Sequence, residues 1–215
     1  MCQTHLAGRF VRTNMTGDGR LDERVVRFLA HNYDVIVASN LVPGKSGCLE
    51  PKLKDFADRI AAVDNSTRVL VYQANQIHHG AMMPPGQTPE TNLLCGLDNF
   101  KAEWIVKAPN GSNVTIHAGK QYAQDLSSPQ ARAWWLGVIT NSTLGENVRG
   151  VFADNGLDSD AAYASQGVTS ARGEELLRGQ QLVSRLSVAG AGMASGLQYS
   201  LMPGCTVAFV PSRSC

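Results

Sequence analysis

Several short stretches of the chain hold the residue types that carbohydrate chemistry uses. Asp154 and Asn155 follow the apolar pair Val151-Phe152, and Asp158 stands just beyond. Tyr72, Gln73 and Asn75 end a second apolar run, with His78 and His79 close behind. Ser39 and Asn40 end another, and Trp104 and Lys107 flank a fourth. Amides and carboxylates hydrogen-bond sugar hydroxyls, and aromatic faces stack on sugar rings. A carboxylate beside a glycosidic bond serves as nucleophile, base or acid. Asp154 is therefore the candidate catalytic group. Tyr72, Asn75, His78, Trp104 and Asn155 are candidate substrate contacts.

Such residues act together only if strands bring them to one edge. Leu21, Val25, Phe28 and Leu29 fall on one face of a helix. Asp34 to Ser39 reads as a buried strand, apolar and rich in β-branched residues. Leu53, Phe56, Ile60 and Val63 form a second helical stripe, with Pro51 suited to its first turn. Thr67 to Asn75 is the second strand, and Ala102 to Gly111 reads as a third, closed by a Pro-Asn-Gly turn. Ser128 and Pro129 open a helix whose apolar face is Ala131, Trp135, Val138 and Ile139. Arg149 to Asn155 is the fourth strand, and Ala171 to Gly190 a helix of weaker pattern. "AGAGMASG" reads as a small-residue linker, with a last strand expected in "CTVAFV".

Alternating strands and helices predict βαβ units and a parallel sheet. Two α/β architectures fit, a doubly wound sheet and a (β/α) barrel of TIM type. Both put their chemistry at the C-terminal ends of the strands, where Asp154 falls. The expected organisation is a partial (β/α)-barrel domain over residues 1–190 and a C-terminal extension over 191–215.

Composition narrows the function classes. An apolar share of 43% and a charged share of 17% are those of an ordinary globular protein. A net charge of +1 with no basic stripe argues against nucleic acid. No apolar run approaches the roughly 18 residues of a membrane span. "VPGKSG" departs from the phosphate-binding G-x-x-x-x-G-K-[ST] loop, and G-x-S-x-G is absent. No third His or Cys stands at ligand spacing beside His78 and His79, so neither metal nor cofactor is expected. The five cysteines are scattered, and their pairing stays open, as does the oligomeric state. Asn14, Asn65, Asn110, Asn113 and Asn141 each begin an N-glycosylation acceptor pattern. Twelve asparagines would yield about one or two by chance. Five point to a secreted glycoprotein, although "MCQTHLAGRF" carries no signal-peptide pattern.

Two segments in order resemble glycoside hydrolases of the (β/α)8-barrel type, including families known as hypothetical glycosyl hydrolases. The first is Asp125-Leu-Ser-Ser-Pro129-Gln-Ala131-Arg132-Ala-Trp134-Trp135. The second is Gly150-Val-Phe-Ala-Asp154. "RVLVYQAN" and "AEWIVKAPNG" are similar to the second- and third-strand elements of those families. The resemblance spans Asp34 to Asp158. It implies a glycosidase, hydrolysing O-glycosyl bonds of a poly- or oligosaccharide, with Asp154 as nucleophile or base. The family's partner acid lies further along the chain, where this sequence holds Asp160, Glu174 and Glu175; the glutamates read as a solvated helix face. A full barrel takes about 250 residues, so the expected barrel is incomplete. The alternative is a non-catalytic carbohydrate-binding or degenerate barrel fragment.

Each candidate has a plainer reading. Asp154 could cap the loop that follows its strand. Asp125, a candidate substrate contact, also suits the turn ahead of the Ser128 helix start. His78 and His79 could be merely exposed. Trp134 and Trp135 point about 100° apart on a helix, so one belongs to the core and the other near the surface.

Overall fold

A computed structural model of the chain describes residues 10–14, 21–39, 49–74, 84–86, 99–116, 119–143, 147–154, 163–189 and 206–209. Four strands run parallel: β1 (Phe10–Asn14), β2 (Val35–Ser39), β3 (Arg68–Ala74) and, further along the chain, β6 (Val148–Asp154). A fifth, β7 (Thr206–Phe209), pairs antiparallel with β6. The sheet order is β1-β2-β3-β6-β7. A separate antiparallel hairpin joins β4 (Thr115–Ile116) to β5 (Gln121–Tyr122). The helices are α1 (Glu23–Asn32), α2 (Glu50–Val63), α3 (Pro129–Thr143) and α4 (Ser170–Ala189).

The described strands form an open mixed sheet rather than a closed barrel. A doubly wound sheet reverses its strand order and carries helices on both faces. Here the described parallel strands add in one direction, α1, α2 and α3 bury their apolar stripes against one face, and Leu176 of α4 joins the cluster that Ala74 enters on the other. The face under α1–α3 is Ile36 and Ala38 of β2, Val69 and Val71 of β3, and Val148, Val151 and Ala153 of β6. Between Val69 and Leu70 the pairing shifts from Val148 to Gly150, so Arg149 is an extra residue in β6. A bulge of this kind leaves the strand's later residues on the correct face. Residues 206–209, in the stretch read as an extension, belong to this same sheet.

Local chemistry accounts for the helix starts. Asp22 caps α1, its carboxylate accepting from the Arg24 backbone N–H at 2.8 Å. Pro51 occupies the first turn of α2. Ser128 Oγ accepts from the Ala131 N–H at 3.3 Å, with Pro129 as the first helical residue, as the sequence predicts. Ala131, Trp135, Val138 and Ile139 are all buried.

Two expectations need correction. The inward face of α1 is Val26, Leu29 and Ala30, whereas Val25 and Phe28 are 41% and 57% exposed. Two apolar stripes overlap on this short helix, and packing against α2 selects the other one. The expected third strand is not in the main sheet. Ala102–Trp104 forms a 3-10 turn, and the residues after it pair with the 112–125 segment. Val106 N–H donates to Ala123 at 3.0 Å, and Val114 N–H to Val106 at 2.8 Å. Ile105, Val106 and Ala108 are buried, and a short apolar run looks the same in a central strand as in a buried loop ladder.

Candidate functional site

The register of β3 and β6 assembles the strand-end residues. Tyr72 pairs with Phe152 and Ala74 with Asp154, which closes β6. The rings of Tyr72 and Phe152 stack with centroids 6.1 Å apart and planes 25° from parallel. This pair lies on the face away from α1–α3, with buried Val37 and Leu70 further back along the strands. Phe152 is buried, and Tyr72 keeps part of its surface open.

The end of β3 is held from the helix side. Trp135 Nε1 donates to the Ala74 carbonyl at 3.2 Å, and Gln73 Nε2 donates to the same oxygen at 3.2 Å. One carbonyl can accept both, having two lone pairs. The Ala74 methyl packs instead into a second cluster with Val106, Val114, Ala123, Tyr163 and Val168. The hairpin region and the segment leading into α4 therefore cover the end of β3, beside the backbone of Asp154.

Asp125 stands one layer out. Its Oδ1 accepts from the Ser127 N–H at 3.1 Å and from Ser127 Oγ at 2.5 Å, an Asx turn that leads into the Ser128 cap. Its Oδ2 accepts from Arg172 Nη2 at 2.5 Å. Arg172 also donates to Ser127 Oγ at 2.8 Å and to Glu175 Oε2 at 2.7 Å. Burial disfavours the charge on Arg172, but the Glu175 hydrogen bond and the Asp125 charge outweigh it and raise the guanidinium pKa. The turn-and-cap reading describes what this carboxylate does in the fold. Glu174 and Glu175 lie on the outer surface of α4, paired with Arg178 and Arg172.

Trp104 is buried in an aromatic group with Phe100 and Trp134, its ring centroid 5.8 and 5.5 Å from theirs. Lys101 Nζ lies 5.3 Å from the Trp104 ring centre. The neighbouring tryptophans divide as expected: Trp135 is fully buried and Trp134 only partly. Asn75, His78, His79 and Asn155 lie outside the described residues, as do all five cysteines and the side chain of Asp154. The fold thus brings Tyr72 and the Asp154 backbone to one strand edge, with Trp104 in the buried aromatic group and Asp125 in the turn ahead of α3.

Two contributors to this arrangement escape a reading for chemistry, Arg172 and Gly179, and Gln73, read there as a strand-end amide, bonds the Ala74 carbonyl. The glycine had a signal, because glycine inside a helical pattern calls for a packing reason. A Cβ at Gly179 would overlap the Leu126 carbonyl. Glycine there lets α4 lie directly on the Asp125–Ser128 turn. Among the described residues, no three His, Cys, Asp or Glu side chains gather as a metal site, and no helix is long and apolar enough to cross a membrane.

No protein-family model matches the chain, and no curated protein matches it. Among solved structures it is similar to an alpha-galactosidase from Thermus thermophilus, in complex with p-nitrophenyl alpha-D-galactopyranoside. The match covers 84% of this chain and 36% of that one, at 13% sequence identity and a TM-score of 0.50. What the two chains share is the fold, an arrangement of α/β units with parallel strands.

Proposed function

We propose that the chain is a glycoside hydrolase acting on a poly- or oligosaccharide, with Asp154 as its catalytic carboxylate. The observation that carries this reading is the position of Asp154. It is the last residue of a buried parallel strand, opposite the doubly anchored Ala74 and two residues beyond the stacked Tyr72–Phe152 pair. In parallel α/β folds that edge is where reacting groups collect. The fold likeness to an alpha-galactosidase adds support.

In this reading Asp154 stabilises an oxocarbenium-like transition state, by attacking the anomeric carbon or by activating water. A second carboxyl group must protonate the leaving oxygen. Tyr72 offers its open ring surface to a sugar, and Asn75, His78 and Asn155, which follow the strand ends, bond its hydroxyls.

The test is hydrolysis of a panel of p-nitrophenyl glycosides, alpha-D-galactopyranoside included, together with oligosaccharides. The Asp154→Asn protein should fold normally and lose roughly a thousandfold or more in rate. Undiminished hydrolysis by that variant would remove Asp154 from the mechanism. Binding of oligosaccharides by the unaltered chain without any cleavage would instead favour a non-catalytic carbohydrate-binding protein.

A further inference from the structure

The structure describes the side chains of both Asn and hydroxyl residue for three of the five N-glycosylation patterns, and it treats them differently. Asn65 is exposed, but the Thr67 hydroxyl of its pattern is buried against the Ala30 and Tyr33 carbonyls, 3.0 Å from each. Asn113 is half-buried and accepts from the Lys107 ammonium. Its partner Thr115 is held by Gln166, which accepts from the Thr115 N–H at 2.9 Å. In the third pattern Asn110, Gly111 and Ser112 are all exposed.

This third pattern is also the one built as a fixed projection. Gly111 has φ +82°, a conformation that other residues rarely adopt. Gly111 N–H donates to the Ala108 carbonyl and Ala108 N–H to the Ser112 carbonyl, both at 2.9 Å, which closes the turn. Asn110 Oδ1 accepts from the Ser112 N–H at 3.0 Å and from Ser112 Oγ at 2.7 Å. Both contacts fall on the amide oxygen. The nitrogen Nδ2, to which a sugar would be joined, is a separate atom on an exposed side chain.

We propose that Asn110 is an acceptor for an N-linked glycan. The donor class is an oligosaccharide carried on a lipid pyrophosphate. Asn110 Nδ2 forms a bond to the anomeric carbon as the carbon–oxygen bond to pyrophosphate breaks. The pyrophosphate leaves with that electron pair, and the amide nitrogen gives up one proton. The pattern's hydroxyl already lies against the Asn110 amide, and a glycan here extends into solvent without disturbing either core cluster. Nothing in this proposal depends on the glycosidase reading.

To test it, the full chain is directed by an added secretion signal into the endoplasmic reticulum of a eukaryotic host. Glycans are then removed enzymatically in heavy-oxygen water, which converts each glycosylated Asn to a labelled Asp, and peptides are mapped by mass spectrometry. Label is expected at Asn110 in most molecules. Asn110→Gln and Ser112→Ala should each remove one glycan's mass from the intact protein. Ser112→Ala keeps Asn110 and deletes only the hydroxyl, and circular dichroism reports whether either variant has unfolded. An unlabelled Asn110, whether other sites are occupied or none, overturns the proposal. So does a folded Ser112→Ala protein whose Asn110 label exceeds that of a sample kept in heavy-oxygen water without the enzyme, where the Asn110-Gly111 amide hydrolyses unaided.

Discussion

The indole N–H of Trp135, in the middle of α3, donates to the carbonyl of Ala74, the last residue of β3, across 3.2 Å of fully buried interior. One side chain thereby ties a helix to the strand edge where Asp154 stands. Trp135→Phe deletes the donor together with the five-membered ring, leaving Gln73 to donate to that carbonyl. A loss of about 1 kcal/mol is expected from the hydrogen bond. Trp135→Ala also opens a cavity and should cost about 3–5 kcal/mol. Urea denaturation should rank the variants, with Trp135→Phe costing more than the hydrogen bond alone and less than Trp135→Ala.

Gly179 provides a second check on the same edge. Alanine normally stabilises a helix by about 1 kcal/mol relative to glycine. Here its methyl would meet the Leu126 carbonyl, which is backbone and cannot turn aside. Gly179→Ala should therefore destabilise by about 1–3 kcal/mol, opposite to the propensity effect. A rise in the unfolding midpoint would contradict the close packing of α4 on the turn.

Asp125 and Arg172 lie 47 residues apart and form a two-oxygen, two-nitrogen network with Ser127. The carboxylate is 14% exposed and the guanidinium 34%, so solvent screens the pair only in part. A double-mutant cycle of Asp125→Asn and Arg172→Met should return a coupling of about 1–2 kcal/mol. Independent effects of the two substitutions would show that the ion pair contributes nothing.

Asp58 supplies a pH prediction. Hydrogen bonding from Lys54 holds its carboxyl below the ordinary pKa against the opposing effect of burial, and Asn147 adds a further hydrogen bond at 2.8 Å. A folded-state pKa below the unfolded one stabilises the protein above the unfolded pKa, and that contribution disappears as pH falls through the folded value. Asp58→Asn should therefore be less stable than the parent at neutral pH. The contribution of the exposed Lys54–Asp58 pair is about 0.3–0.5 kcal/mol. The difference should begin to shrink as pH falls through 3.8, vanish below the lower folded-state pKa and shrink in high salt, which denaturation curves across a pH and salt series would resolve.

Much of the scaffold was legible in the residues themselves. β2, β3 and β6 each hold a short apolar run rich in β-branched residues, the stripes of α2 and α3 repeat at helical spacing, and Ser128-Pro129 marks a helix start. These signals are local, so a linear reading captures them. Asp154 at a strand end was legible for the same reason. The Ile105–Ala108 run, the inward face of α1 and the antiparallel direction of β7 were not, because each depends on what packs alongside. The partner of Asp125 lies 47 residues away and that of the Trp135 indole 61 residues away, distances over which sequence spacing carries no geometry. Residue types thus determined which chemistry the chain could bring to a strand edge. Tertiary packing alone decided which polar groups support that edge, because a hydrogen bond depends on distance in space and not on separation along the chain.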